Sequence, residues 1–528
     1  MRMLRYRLAP SPAGLRLALC LATAVAALTA CMKPLPAEPN LAADPTNLPA
    51  PTPTHETLVP GLTSPPEVPD PSPSPLPAKI EALPASEETA LPLPEYTLTA
   101  ELNYGRHHLA VEERIEYANR SGEPLEDLLL LVEPTRYPGV FRLISLSWGS
   151  GEAVTDYALD LGQLHIPLAQ PLAPGASLTL DISYELNLPS PDANYYGRPI
   201  PFGYTARQTN LVDWYPYLPP YIPGQGWLSH QAGFFGEHLA YESANFRVNV
   251  RIEDDRPELT VAASAPAERD GDWRRYRLEA ARNFAWSVSH LYTVTTTTVD
   301  GVQVSGYAFP AHAAAGEATL QVTAEALALY SRLFAPYPHR TLSVVEADFL
   351  DGMEFDGLYF LSNAFYNLYR GEPADYLTAI AAHETAHQWW YGLVGNDQAL
   401  EPWLDEALAT YSERLYYENL HPEALDWWWA YRVQYYNPHG WVDGSIYNPE
   451  GYRAYRDAVY LNGVLFLEEL RGQIGEQAFL TVLREYSAQN RGRVATGNDF
   501  FSLLEPYAGE ELSGLIARYF SRRAGGAP

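Results

Sequence analysis

Ala382-His383-Glu384-Thr385-Ala386-His387-Gln388-Trp389-Trp390 is the stretch from which the rest of the chain can be read. Four residues of helix turn through about 400°, so His383 and His387 lie one turn apart on the same face, where their imidazoles can converge on one ion. Glu384 is offset from that face, placed to reach a water on the metal rather than the metal itself. A third ligand is expected from Glu406, which follows after eighteen intervening residues inside Glu401-Pro-Trp-Leu-Asp-Glu-Ala-Leu-Ala-Thr-Tyr411. The spacing lets a first helix end near Gly392 to Gly395 and a second helix return with Glu406 facing the histidines. Two imidazoles and a carboxylate suit one zinc ion with a fourth tetrahedral corner left to water. The five-residue pattern alone is weak; the glutamate at this spacing makes it strong. Three ligands beside an intact base point to metal-assisted hydrolysis, whereas a structural zinc is usually closed by four protein ligands.

Outward from this site the chain reads as α+β. Helical stretches are expected over 318–333, 376–394, 402–419 and 459–472, then within 475–507 and 512–523. Strands are expected over 302–308 and 341–345. Upstream the signals are strand-like: Leu128-Leu-Leu-Leu-Val132, Leu178-Thr-Leu-Asp-Ile-Ser-Tyr184 and Phe246-Arg-Val-Asn-Val-Arg-Ile252, the last alternating with period two. Turn chemistry such as Pro174-Gly175 and Arg269-Asp270-Gly271-Asp272 separates them. Residues 96–294 are therefore expected to form a β-rich domain and 295–528 a mixed domain holding the metal.

The N-terminus has a different texture. Arg2, Arg5 and Arg7 precede an apolar Ala/Leu-rich run from Leu15 to Ala30. That run is short for a bilayer span and fits the h-region of an export signal. It closes on Leu28-Thr29-Ala30-Cys31, which resembles a bacterial lipobox with Cys31 as the lipidated residue; a plain signal peptide with an incidental Cys is the alternative. Residues 1–31 are read as this signal and 32–95 as a disordered Pro-rich linker, since residues 32–94 hold more than a third of the 46 prolines. The expectation is a protein exported and anchored to the outer face of a bacterial membrane. The two cysteines are Cys20 and Cys31, so a metal further along must use His, Asp and Glu. With 64 acidic against 35 basic residues and a net charge of −29, nucleic-acid binding is excluded as a function class. Hydrophobic residues at 47% and aromatics at 12% allow large buried cores.

Taken together, His383-Glu384-x-x-His387 with Glu406, and Trp403-Leu-Asp-Glu-Ala-Leu-Ala-Thr-Tyr411 around it, resemble the gluzincin aminopeptidases of the aminopeptidase N and leukotriene-hydrolase type. Asp405 stands where the family usually has Asn, and Ala407 where it has Gly. The resemblance runs from about Tyr96 to Arg523. It implies a multidomain α+β fold: a saddle-like β-rich domain, then a thermolysin-like catalytic domain ending in helices. The family's further large helical C-terminal domain is expected to be missing.

The resemblance also implies supporting residues. Tyr460-Leu-Asn-Gly463 is similar to the family's Y-x-K-G, with Asn462 for Lys, which implies Tyr460 as the oxyanion donor and Tyr455 as its alternative. Gly352-Met353-Glu354-Phe355-Asp356-Gly357-Leu358 is similar to the exopeptidase motif G-A-M-E-N-x-G-L, with Asp351 in place of the first Gly and Phe355 in place of Asn. It implies Glu354 as the anchor for a substrate's α-amino group, flanked by Gly352 and Met353. A second anchor from the β-rich domain is matched by Gln208-Thr209-Asn210, implying Gln208, with Asn210 lacking the family's charge. Glu413, two helical turns after Glu406, could hydrogen-bond a ligand histidine or be an exposed helix acid. The expected function is a zinc peptidase, one Zn2+ per chain, releasing N-terminal residues from peptides. Two alternatives stand beside it: an endopeptidase or special-peptide hydrolase, and a non-catalytic zinc-containing lipoprotein that binds a peptide or partner.

Overall fold

The structure, a computed structural model, describes residues 91–190, 201–253 and 259–524. The expected signal, Cys31 and nearly all of the Pro-rich stretch lie outside them.

Alternation builds the first part. Along Glu95–Asn103 every second residue is buried, with Tyr96, Leu98, Ala100 and Leu102 on one face. This strand pairs antiparallel with His108–Ala118 and parallel with Ala244–Glu253. Ser177–Asn187, Phe141–Trp148, Trp273–Ala281 and Glu268–Asp270 extend them into a seven-stranded sheet. A three-stranded sheet around Gln163–Leu172, a four-stranded one containing Thr209–Leu211 and Trp286–Ser289, and a small hairpin of Tyr221–Ile222 and Gly226–Trp227 complete the described β-rich part. All three expected strands here are present, each slightly longer than its signal.

The second part begins at the strand Thr293–Val299, just before the expected boundary. Its five-stranded sheet runs Thr293–Val299, Val302–Ala308, Thr341–Ala347, Leu358–Ser362, Gly352–Phe355. The central Thr341–Ala347 is buried along its whole length, as a parallel strand covered on both faces must be. Gly352–Phe355 is one of the sheet's two edges, opposite Thr293–Val299. It is joined to its neighbour by a turn at Gly357, where φ is +72° and an added Cβ would lie 2.1 Å from the Ser264 carbonyl oxygen, so only glycine fits. Helices Ala313–Leu333, Tyr376–Ala386, Glu406–Leu420, Gly463–Ile474, Glu476–Gln489 and Glu510–Tyr519 follow. The observed architecture is thus β-rich, then α+β ending in helices.

The two parts share a core. The hydrophobic cluster of the β-rich part, with Leu128, Val248 and Trp286, also takes in Val345, Phe360 and Tyr391. Arg282 crosses the seam fully buried. Its guanidinium donates to the carbonyls of Tyr241, Gly392, Leu393 and Arg493 at 2.8–3.4 Å. A charge this deep is tolerable because its donors are matched.

One expected boundary is wrong. The helix carrying the histidines ends at Ala386, not near Gly392 to Gly395, and His387 is its cap. Beyond it the backbone opens into a wide turn: Gly392, Leu393 and Val394 donate to the carbonyls of His387, Gln388 and Trp389, five residues back. Trp389 and Trp390 are completely buried there, and driving both indoles into the core takes the chain off the helical path.

Candidate active site

His383 and His387 occupy the last turn of a helix that is buried on every side, from Leu377 to Ala386. Glu406 is the first residue of the next long helix, capped by the Asp405 side chain, which accepts from the Glu406 N–H at 2.8 Å. The two helices pack so that His383 Nε2 lies 3.1 Å from His387 Nε2 and 3.2 Å from Glu406 Oε2, while His387 Nε2 and Glu406 Oε2 are 3.5 Å apart. Donors held about 2.0–2.1 Å from a tetrahedral zinc stand roughly 3.3–3.4 Å from one another. The three separations bracket that value, so the set fits the ion without rearrangement. Among the described residues no fourth His, Cys, Asp or Glu completes this group.

Electrostatics agree with a cation site. Burial opposes the charge on Glu406, yet the two imidazoles hold its carboxyl well below the usual carboxylate range. Burial likewise disfavours the His383 imidazolium, but Glu406 and Glu413 push the ring up to about 9. A metal binds here by displacing those protons.

Glu384 sits beside the donors, 5% exposed, and its Oε2 has no hydrogen-bond partner in the protein. Burial drives its pKa well above the usual range. A buried carboxylate oxygen left unpaired is costly and marks a functional position. The carboxylate lies against the edge strand: a Cβ added to Gly352 would come within 2.0 Å of Glu384 Oε1. Gly352 is therefore what lets the strand and the base touch. Two residues along, one oxygen of Glu354, one of Glu384 and a ring nitrogen of His387 fall within 4.8 Å of one another. Glu354 is 6% exposed, accepts from Gln398 Nε2 at 3.2 Å, and lines a cavity with Met353 and Phe355.

Tyr460 rises from a π-type turn, Asp457–Asn462, at the start of the Gly463–Ile474 helix. Its hydroxyl donates to Glu406 Oε1, and its ring stacks on His383 with centroids 6.2 Å apart. Gly463 makes this approach possible, since a Cβ there would lie 2.5 Å from Ala407 Cβ. Tyr455 instead packs behind, against Phe235 and the Tyr460 ring. Of the two tyrosines, Tyr460 is the one at the donors.

Glu413 is wholly buried and bonds the back of the site. It accepts from His383 Nδ1 at 2.9 Å, from Trp428 Nε1 at 2.8 Å, and from Arg432 through two bonds of 2.8 and 2.9 Å. Burial opposes its charge, but Arg432 and His383 keep it below the usual carboxylate range. The contact fixes which His383 nitrogen faces the ion. The sequence left open whether Glu413 was an exposed acid, and it gave no hint of Trp428 and Arg432, which lie in an aromatic stretch readable only as packing.

This geometry agrees with a comparison against protein families. Residues 318–519 match the Peptidase family M1 domain. Within those residues lie all three donors, Glu384, Glu354, Glu413 and Tyr460. The chain is 27% identical over 254 residues to endoplasmic reticulum aminopeptidase 1 of Mus musculus, covering 44% of this chain and 27% of that protein. It is 26% identical over 296 residues to aminopeptidase N of Lactobacillus delbrueckii subsp. lactis, covering 49% of this chain and 34% of that protein. It thus spans about a third or less of the curated relatives it matches. An M1 zinc metallopeptidase from Deinococcus radiodurans has the same fold, with TM-score 0.58 at 19% identity over 84% of this chain and 96% of that one.

Two features depart from what the resemblance implied. Gln208 is not a substrate anchor. It is completely buried, its amide donating to Asn210, Tyr292 and the Glu346 carbonyl and its oxygen accepting from the Asp348 N–H at 2.7 Å. With its capacity filled it fastens the β-rich part to the α+β part at Glu346 and Asp348. The carboxylates from the β-rich part that do line the cavity beside Glu354 are Glu133, Asp213 and Glu237. Asp405, in place of the family's Asn, is buried, and burial and then Glu406 push its pKa well above the usual range.

Proposed function

We propose that this chain is a zinc aminopeptidase that hydrolyses the first peptide bond of peptides with a free amino terminus. The observation that carries the reading is the convergence of two imidazoles and a carboxylate at donor spacing, with the unpaired base Glu384 and the second carboxylate Glu354 on one side of them. His383, His387 and Glu406 would hold the ion. When bound, zinc supplies a Lewis acid and brings the pKa of a water to about 7.

The rest of the reaction belongs to side chains. A peptide adds along the outer edge of Gly352–Phe355 as an extra strand. Glu354 pairs with its ammonium and sets the first carbonyl in register. Glu384 accepts the proton of the attacking water at its carboxylate and delivers it to the leaving amine. The Tyr460 hydroxyl turns from Glu406 to donate to the oxyanion. Glu413, held by Arg432 and Trp428, keeps the His383 ring oriented throughout.

A panel of aminoacyl reporter amides and their N-acetylated equivalents, with and without chelator, tests the assignment. Free-amino substrates are expected to be cleaved in a chelator-sensitive way and blocked ones barely. Glu354→Ala should lower kcat/KM for free-amino substrates by about 10- to 100-fold, the loss of one charged hydrogen bond. Blocked substrates should change far less. Equal loss on both would remove the anchor role and favour an endopeptidase.

We also propose export and lipid anchoring through Cys31. The support is the basic start, the apolar run and the small residues before Cys31, followed by the Pro-rich spacer. Among the described residues no helix is long and apolar enough to cross a membrane. Cys31→Ser should move the protein from the membrane to the soluble fraction; unchanged membrane association would refute the anchor.

A further inference from the structure

Three large apolar side chains stand open around the approach to Tyr460. Phe234 is 87% exposed, Leu350 69% and Tyr452 46%. They are not scattered: with Glu237, Asp351 and Tyr460 they line one pocket of about 240 Å³. Apolar groups exposed around a concave wall beside reacting atoms mark a contact surface.

Asp351 gives this pocket its character. Its backbone φ is +85°, a region glycine enters freely and an L-residue enters only under strain. Its side chain is exposed, so no core packing requires it there. The strained backbone holds a carboxylate at the mouth of the cleft. Glu237 adds a second, and no cationic side chain lines the pocket. The guanidinium groups that act on Tyr452, Arg432 and Arg456, are committed to Glu413 and Asp457.

Direction along the edge strand places the pocket relative to the substrate. With the amine at Glu354, a paired peptide runs on toward Gly352 and Asp351 at about 3.3 Å per residue. Its second residue then lies beside the pocket. We propose that this pocket takes the side chain of the residue after the cleaved bond and favours a long cation, Arg or Lys, over an acidic residue, with Asp351 carrying the charge selection. The methylene stem packs on Phe234 and Tyr452 while the head meets Asp351 and Glu237. The inference rests on the aminopeptidase reading.

Tripeptide amides Ala-Arg-Ala, Ala-Leu-Ala and Ala-Glu-Ala, with an alanine reporter amide as control, test it on the zinc-loaded protein. The wild type should favour Arg over Glu in kcat/KM by about tenfold or more, with Leu between. Asp351→Asn should narrow that ratio to about threefold or less. Asp351→Gly should do the same while relieving the backbone, which guards against a folding defect. Equal cleavage of the Arg and Glu peptides by the wild type, or a ratio unchanged in both variants, overturns the proposal. A cleaved alanine reporter with flat ratios sinks the pocket assignment alone. No cleavage of any substrate sinks the aminopeptidase reading, and this inference with it.

Discussion

Glu384→Gln is expected to keep its metal and lose about 10³- to 10⁴-fold in kcat, the upper range for removing a general base. The amide has nearly the same shape, so the contact with Gly352 survives, but it cannot accept a proton. The loss should appear in kcat rather than in KM, because Glu384 meets the attacking water and not the bound peptide. A folding defect is not expected. Glu384 Oε2 is buried without a partner and burial drives its pKa well above the usual range. A neutral side chain is therefore tolerated at least as well, and Tm of the metal-free variant should equal or exceed that of the wild type. Within the holoenzyme a nearby cation favours the charged carboxylate, the form a base needs. A Glu384→Gln protein with full activity would refute the assignment.

Tyr460→Phe is expected to lower kcat by about 10²- to 10³-fold with KM little changed, as for loss of one oxyanion donor. The hydroxyl bonds Glu406 directly, and the ring stacks on His383. Phenylalanine keeps the ring and the packing, so metal content should hold. Tyr455→Phe is the control. Tyr455 packs against Phe235 and the Tyr460 ring, and the proposed reaction gives its hydroxyl no part. Steady-state kinetics on one reporter amide, with zinc content measured on each variant, separate the two. A larger loss from Tyr455 than from Tyr460 would reverse their roles.

What the sequence disclosed and what it hid follow from the range of the interactions. His383, His387 and Glu406 were legible because helical geometry fixes the first two and spacing nearly fixes the third. The β-rich part was legible in runs such as Phe246–Ile252, where one face is buried and the period of two is visible. The early end of the histidine helix was hidden. Trp389 and Trp390 suit a helix by propensity, and only the core that receives them bends the chain away. Gln208 was misjudged because a polar residue at a matching position says nothing about whether its hydrogen bonds are already filled. Trp428 and Arg432 were hidden for a related reason: their partner, Glu413, comes from a different helix, and no local pattern connects them. Glu237 and Phe234 sit on the irregular stretch between Trp227 and Ala244, which has no period to read, although it forms one wall of the cleft.

The central claim is that two imidazoles and one distant carboxylate share an ion with a corner open to water. Zinc K-edge X-ray absorption on protein loaded with one equivalent of zinc addresses it directly. The expected spectrum has two imidazole nitrogens and carboxylate oxygen at about 2.0–2.2 Å plus one exchangeable oxygen, and Glu406→Ala should lose the metal on dialysis. A shell of four protein ligands, or a Glu406→Ala protein with an unchanged zinc spectrum, would contradict it.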